Sequence, residues 1–301
     1  MKIYINREPV SGPWGGGNKT VESIVSRMTS IGNIVTFDLL ESDIDIIFCM
    51  DPRPNNRGVW YQDFINYRNK KTNTKIIQRI GDVGTHSKPE LTSLVSQSTM
   101  LSDFNIFPSE WARSYINYEK NNYKIIPNRP KSEFFKFRKN KKIGEKVRIV
   151  THHWSTNHKK GFDIYENISN CREDIEFTYI GRLPENIKLE KAKKIKPIDS
   201  IGLSRELPEY DIYLTASLEE AGANHVLEAM AAGLPIIYHK DGGSIPEYCK
   251  DYGLEFSSYE DLNKKIDIMI RDFEKYKKAV MNYNQKIENT IKEYEKIICE
   301  L

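Results

Sequence analysis

Short apolar runs recur along the chain, each followed by a stretch whose apolar residues stand three or four apart. Lys2–Ile5 reads as a first strand, residues 11–19 as a glycine-rich loop and residues 20–28 as a helix. Residues 34–39 and 44–50 predict further strands, the second running directly into Asp51-Pro-Arg-Pro54. A helix over 61–67, a strand over Lys75–Arg79, a helix over 91–101 and a short strand over 105–107 follow, and another helix opens at Ser109. Strands alternating with helices imply a parallel sheet covered on both faces.

Pro127-Asn-Arg-Pro130 interrupts this alternation, and residues 131–146, rich in Lys and Phe, read as a linker between domains. The pattern then restarts with a strand over 147–151, a helix over 162–168 and strands over 175–180, Ile212–Thr215 and 235–238. From Leu262 onward Ile266, Met269, Ile270, Phe273, Tyr276, Val280, Tyr283, Ile287, Ile291, Tyr294 and Ile298 keep helical spacing, as one amphipathic helix or a broken pair. Their stripe suits an intramolecular core better than a membrane surface. The expected organisation is a first α/β domain over 1–130, the linker, a second over 147–270, and a final helix over 271–301.

The densest chemistry lies in residues 217–235, where Glu220 and Glu228 stand on either side of a Gly-containing turn. Asn224 fits an N-cap, Val226, Leu227 and Met230 supply a buried helix face, and Gly233 ends the helix. Free amides at a helix start suit a phosphate, and ionised carboxylates accept from sugar hydroxyls. That combination suits a nucleotide sugar.

Composition removes several alternatives. With 45 basic and 42 acidic residues among 301, the net charge of +3 gives no ground for a nucleic-acid partner. No apolar run approaches membrane-spanning length, and the N-terminus enters a strand rather than a signal peptide. Cys49, Cys171, Cys249 and Cys299 are scattered, as in a reduced cytoplasmic protein. Neither a strand-end Asp-x-Asp nor a His/Cys cluster with ligand spacing is present, so no metal and no cofactor are expected.

Two doubly wound halves with the glutamate pair in the second resemble the GT-B glycosyltransferases, and more narrowly the retaining family-4 type. Residues 217–235 resemble that family's Glu-x-Phe-Gly-x-x-x-x-Glu-Ala-Met-Ala-x-Gly-x-Pro signature. Gly243-Ser-Ile-Pro-Glu247 with Gly253, Ile126-Pro-Asn128 and Lys160-Gly161 are similar to its other motifs. The chain departs from the family at three places. His152-His-Trp-Ser155 fills the region where the family has an Arg; Arg129 replaces the Gly after Asn128; Ala223 alters the aromatic–Gly pattern beside Gly222.

The resemblance implies an α/β GT-B fold, two Rossmann-like domains facing a central cleft, a last helix returning to the first domain, and transfer of a sugar from a UDP or GDP sugar to a glycan, lipid-linked or other acceptor with retention. A lipid-linked acceptor would bring the protein to a membrane surface. Glu228 would hold the donor ribose and Glu220 the transferred sugar, with amides around Gly222, Ala223, Asn224 and His225 touching that sugar. Lys160 would meet the diphosphate, with Arg182, His153 or His158 as the cation replacing the family's Arg. Gly242 and Gly243 would face the ligand, while Ser244-x-x-Glu247 reads as a capping box. On the first domain Gly16 and Gly17 follow the first strand, and Asp51, Arg53, Arg79 and Asp82 lie at strand ends. Strand ends are where such sheets bind ligands, here to hold the acceptor or position the sugar; loop turns and salt bridges would explain them equally. A nucleotide-sugar epimerase of the same fold, or a non-catalytic nucleotide- or partner-binding protein, remain alternatives.

Overall fold

A computed structural model describes residues 1–10 and 16–301, which form two compact units: Met1–Asn128 with Ile287–Leu301, and Arg129–Lys286. The first carries β1 (Lys2–Ile5), α1 (Gly16–Ser30), β2 (Ile34–Thr36), β3 (Ile46–Cys49), α2 (Tyr61–Lys70), β4 (Lys75–Arg79), α3 (Pro89–Leu101), β5 (Phe104–Phe107), α4 (Glu110–Tyr115) and β6 (Tyr123–Ile125). The second carries β7 (Val147–His153), α5 (Phe162–Cys171), β8 (Ile175–Gly181), β9 (Lys193–Ile195), α6 (Ser200–Glu206), β10 (Ile212–Thr215), α7 (Asn224–Ala231), β11 (Ile236–His239), α8 (Ser244–Cys249), β12 (Gly253–Phe256), α9 (Tyr259–Arg271) and α10 (Phe273–Met281). The last helix, α11 (Ile287–Glu300), returns to the first unit.

The first sheet runs β2-β1-β3-β4-β5-β6 and every pairing is parallel. Alternation along its inner strands divides the core between two faces. Ile3, Ile5, Phe48 and Ile77 pack with Ile24 and Met28 of α1 and with Ile291, Tyr294 and Ile298 of α11. Tyr4, Ile47, Cys49 and Ile76 pack on the other face against Tyr61 and Phe64 of α2. A fork of hydrogen bonds from Arg27 to Glu295, at 2.8 and 3.0 Å, and one from Thr290 to the Pro127 carbonyl, at 3.0 Å, tie α11 down.

The second sheet, also all parallel, runs β12-β11-β10-β7-β8-β9. That order is the dinucleotide-fold winding, with its reversal between β7 and β10. Val150, Tyr213 and Ile236 face Val226, Leu227 and Met230 of α7, while Ile149, Phe177 and Leu214 face Phe162 and Tyr165 of α5 and Ile266 and Met269 of α9.

Residues 131–146, expected as a solvated linker, fall within the second unit. Phe134 is fully buried in its core. The Arg138 guanidinium donates to the carbonyls of Met230, Ala231, Met281 and Tyr283, closing the ends of α7 and α10. The long apolar stripe likewise divides into three helices, and the chain passes to the first unit at residue 287 rather than 271.

Candidate active site

The switch point of the second sheet collects the residues that the glutamate motif singled out. β7 ends in His152 and His153, and a short 3-10 turn over His158–Lys160 precedes Gly161. β10 ends at Thr215, and Ser217 to Ala223 lead into α7. These two strands are neighbours, so their C-terminal loops meet.

Lys160 forms an ion pair with Glu220, with side-chain exposures of 11% and 14%, and Lys159 pairs with Glu219. Main-chain bonds fix the loop carrying both glutamates. Leu218 N donates to Lys159 O at 2.8 Å, Glu219 N to Asp241 O at 2.9 Å, Glu220 N to Gly242 O at 3.3 Å, and Ser244 N to Glu220 O at 2.8 Å. Glu219 is held at φ +51°, a conformation that costs an L-residue roughly 1–2 kcal/mol. Two glycines permit the close approach. A Cβ on Gly243 (φ +70°) would sit 2.5 Å from Glu220 O, and one on Gly161 (φ +74°) would sit 2.5 Å from Ala216 Cβ. Gly242 is packed too, since its Cβ would lie 2.9 Å from that of Ile245.

Glu228, on the second turn of α7, is 7% exposed and lies 3.1 Å from His152 Nε2. An ionised carboxylate only accepts, so Nε2–H donates to it. The Tyr213 hydroxyl then donates to His152 Nδ1 at 3.1 Å and accepts from the His152 amide at 3.2 Å. His152 and Tyr213 are thus the orienting partners of Glu228; the sequence singled out His152, with His153, as either a core histidine or a donor-site group, and did not single out Tyr213. The signal available there was the adjacent pair of histidines at a strand end.

His225 lies in the middle of this set. Its Nε2 is 2.9 Å from Thr215 Oγ1, and Glu220, Lys160, His152 and Glu228 all reach it electrostatically. Burial dominates and pushes the imidazole down to about 3, so it stays neutral. His153, 4% exposed, bonds to the Tyr165 hydroxyl at 2.8 Å and stacks on that ring with centroids 5.5 Å apart. The exposed Arg182 follows Gly181, whose Cβ would collide with His153 O at 2.0 Å. Its guanidinium lies 4.0 Å from the ring centroid of Trp154.

Two local expectations are corrected. Ala223, not Asn224, is the N-cap of α7; Asn224 is already the first helical residue, and the Ala223 amide donates to Ser244 Oγ at 3.1 Å. That bond removes Ser244 from capping its own helix. The N-cap of α8 is Gly243, and no capping box forms with Glu247, which is exposed.

In the first unit the switch lies between β1 and β3. Asp51 is gripped by Arg53 through two bonds of 3.0 and 2.7 Å and lies 3.2 Å from Arg7. Asp82 accepts from Gly84 N at 2.9 Å and Lys88 Nζ at 2.7 Å. Burial opposes its ionisation, yet Lys88, that amide and Arg53 hold it below the usual carboxylate range. Arg79 is 5% exposed and donates to Asn128 Oδ1 at 2.8 Å. Gly16 and Gly17 open α1, and a Cβ on Gly17 would meet nothing within 4 Å. The preceding part of the glycine-rich loop, including Gly15, lies outside the described residues. Among the described residues no group of three or more His, Cys, Asp or Glu could hold a metal ion, and no helix is long and apolar enough to cross a membrane.

Known proteins share this architecture. HepE of Anabaena, solved with UDP and glucose, superposes with a TM-score of 0.74 at 13% identity, covering 100% of each chain. A glycosyltransferase from Rickettsia africae gives 0.70 at 13% identity, over 99% of this chain and 97% of that one. The fold is accordingly GT-B, two Rossmann-like α/β units. Protein CapJ of Staphylococcus aureus is 27% identical over 184 residues, 54% of this chain and 46% of CapJ, so the match spans about half the length of that curated relative. Residues 133–286, about half of the chain and nearly all of the second unit, match the family described as glycosyl transferases group 1, and the chain belongs to that family.

Proposed function

We propose that the chain transfers a sugar from a nucleotide-sugar donor, a UDP or GDP sugar, to a glycan or lipid-linked acceptor with retention of configuration. The observation that carries this reading is the Lys160–Glu220 pair set beside the Glu228–His152 pair at the switch point of the second sheet. Glu228, oriented by His152, accepts from the ribose hydroxyls. Glu220 leaves Lys160 for the hydroxyls of the transferred sugar, which frees the ammonium for the diphosphate. Amides from Gly222 to His225 and the loop at Gly242 and Gly243 line the sugar.

Cleavage of the sugar–phosphate bond builds negative charge on the leaving diphosphate, and a fixed cation with helix amides stabilises it without a metal. Arg182 is the better second cation, because it is exposed while the His153 ring is committed to Tyr165. On the same face of the donor sugar, the acceptor oxygen bonds to the anomeric carbon as the carbon–phosphate oxygen bond breaks. The acceptor proton passes to the departing phosphate oxygen. The acceptor is assigned to the strand ends of the first unit. The protein works in the cytoplasm, meeting a membrane only where its acceptor is lipid-linked.

The test is nucleotide release from UDP and GDP sugars, with and without candidate glycan acceptors. Release that needs an acceptor and falls at least a hundredfold in Glu220→Gln and Lys160→Ala supports the reading. Interconversion of the donor sugar without release would instead identify an epimerase. Binding with no turnover of any donor would leave a nucleotide-binding protein.

A further inference from the structure

The strand ends of the first unit hold a guanidinium whose charge no carboxylate among the described residues answers. Arg79 closes β4 and is 5% exposed. Among the described residues its one hydrogen bond is the 2.8 Å contact to the neutral Asn128 side chain; Nε has no partner and no carboxylate pairs with it. A guanidinium carries five donors and cannot shed its proton. Burying it without an anion is unfavourable, and folded proteins pair such charges.

Its neighbours are arranged differently. Asp51 is shared between Arg53 and Arg7, and Asp82 is held by Lys88. Both carboxylates are therefore occupied by other cations, and Arg7, Arg53, Arg79 and Lys88 outnumber them. Gly81 makes the placement of Arg79 possible, since a Cβ there would lie 2.3 Å from Nη1. β4 lies next to β3, whose following loop carries Asp51 and Arg53, so all these groups share the carboxyl edge of one parallel sheet. That edge is where such sheets take ligands.

We propose that Arg79 binds an anionic group of the acceptor, a carboxylate or a phosphate, through the Nη–H donors that Asn128 leaves over. The identification of the ligand as the acceptor rests on the glycosyltransferase reading; the anion site itself does not. A neutral acceptor would leave the buried charge unanswered, whereas a planar carboxylate or a phosphate matches the guanidinium fork.

Calorimetric titration of the full chain with glucuronate, glucose 6-phosphate and glucose tests this, with UDP titrated separately. The expected result is binding of at least one anionic probe at concentrations where glucose does not bind. Arg79→Gln, which keeps a donor for Asn128, should weaken it tenfold or more while UDP affinity stays within twofold. Should Arg79→Gln fail to fold, Arg79→Lys keeps the charge without the fork and should also weaken the anion. The stronger of the two anions separates a uronic-acid type of acceptor from a phosphorylated one. Equal binding of the anion to wild type and variant, or no preference of wild type for anions over glucose, overturns the proposal. Failure of UDP to bind wild type, with the anion result intact, would instead remove the glycosyltransferase reading.

Discussion

Glu228 and His225 show how residues on one helix face take opposite electrical roles. Glu228 is a nearly buried acceptor held by His152, and the proposed ribose contacts add charge-assisted hydrogen bonds. Glu228→Ala should therefore weaken UDP binding by about 1.5–3 kcal/mol per bond lost, read by calorimetry; unchanged affinity in a folded variant would take Glu228 out of the site. His225 is held neutral, its folded value of about 3 lying below the ordinary 6.5. The unfolded chain therefore takes up the proton first as the pH falls. The stability this residue contributes is present above about 6.5 and lost as the pH drops towards about 3. His239, also lowered by burial, acts in the same sense. Urea melts at pH 7 and pH 5 should show a loss that is smaller in His225→Gln; an equal loss in both would refute it.

At the scale of elements, two loops and two helix ends hold the site still. The loop after β10 is bonded to the loop after β11 through Glu220 and Gly243, which form a parallel bridge. Gly243→Ala would force φ +70° on an alanine and drive its Cβ to 2.5 Å from Glu220 O. Left-handed strain alone costs roughly 1–2 kcal/mol, and the displaced Glu220 should lower turnover beyond what the melting shift explains. Behind α7, Arg138 satisfies carbonyls that the helix end leaves open, and the buried Lys277 donates to Gly233 O at 2.6 Å. Arg138→Ala should cost about 1.5–3 kcal/mol, as loss of hydrogen bonds from a charged group does; a denaturant midpoint within error of wild type would show that these contacts contribute nothing. The central strands were legible because they are continuous apolar runs. β6, β9 and β12 were not, and all three are sheet edges. An edge strand has one neighbour and tolerates short, charged sequences such as the Lys-Lys-Ile of β9.

For the whole molecule the proposed chemistry asks for charge stabilisation without a metal. Transfer should survive excess chelator, and complete loss restored by magnesium or manganese would contradict that. Arg182→Ala should lower turnover more than it lowers affinity for the nucleoside, which carries no phosphates. Equal losses in both would place Arg182 at the base or ribose instead.

The alternation of the central strands with helices, the restart of the pattern after Pro130 and the Ser217-to-Pro235 motif were determined by the sequence alone. Hydrophobic periodicity and backbone preference are local, so each of these can be read from neighbours in the chain. Tertiary structure decided the rest. It drew Phe134 and Arg138 into the second unit and set the crossing to the first at residue 287. It gave Ser244 to the Ala223 amide rather than to its own helix, and turned His152 towards Glu228, 76 residues away. It also left Arg79 buried with a neutral partner. Each joins segments far apart in the chain, and contacts between such segments leave no local periodicity for the sequence to display.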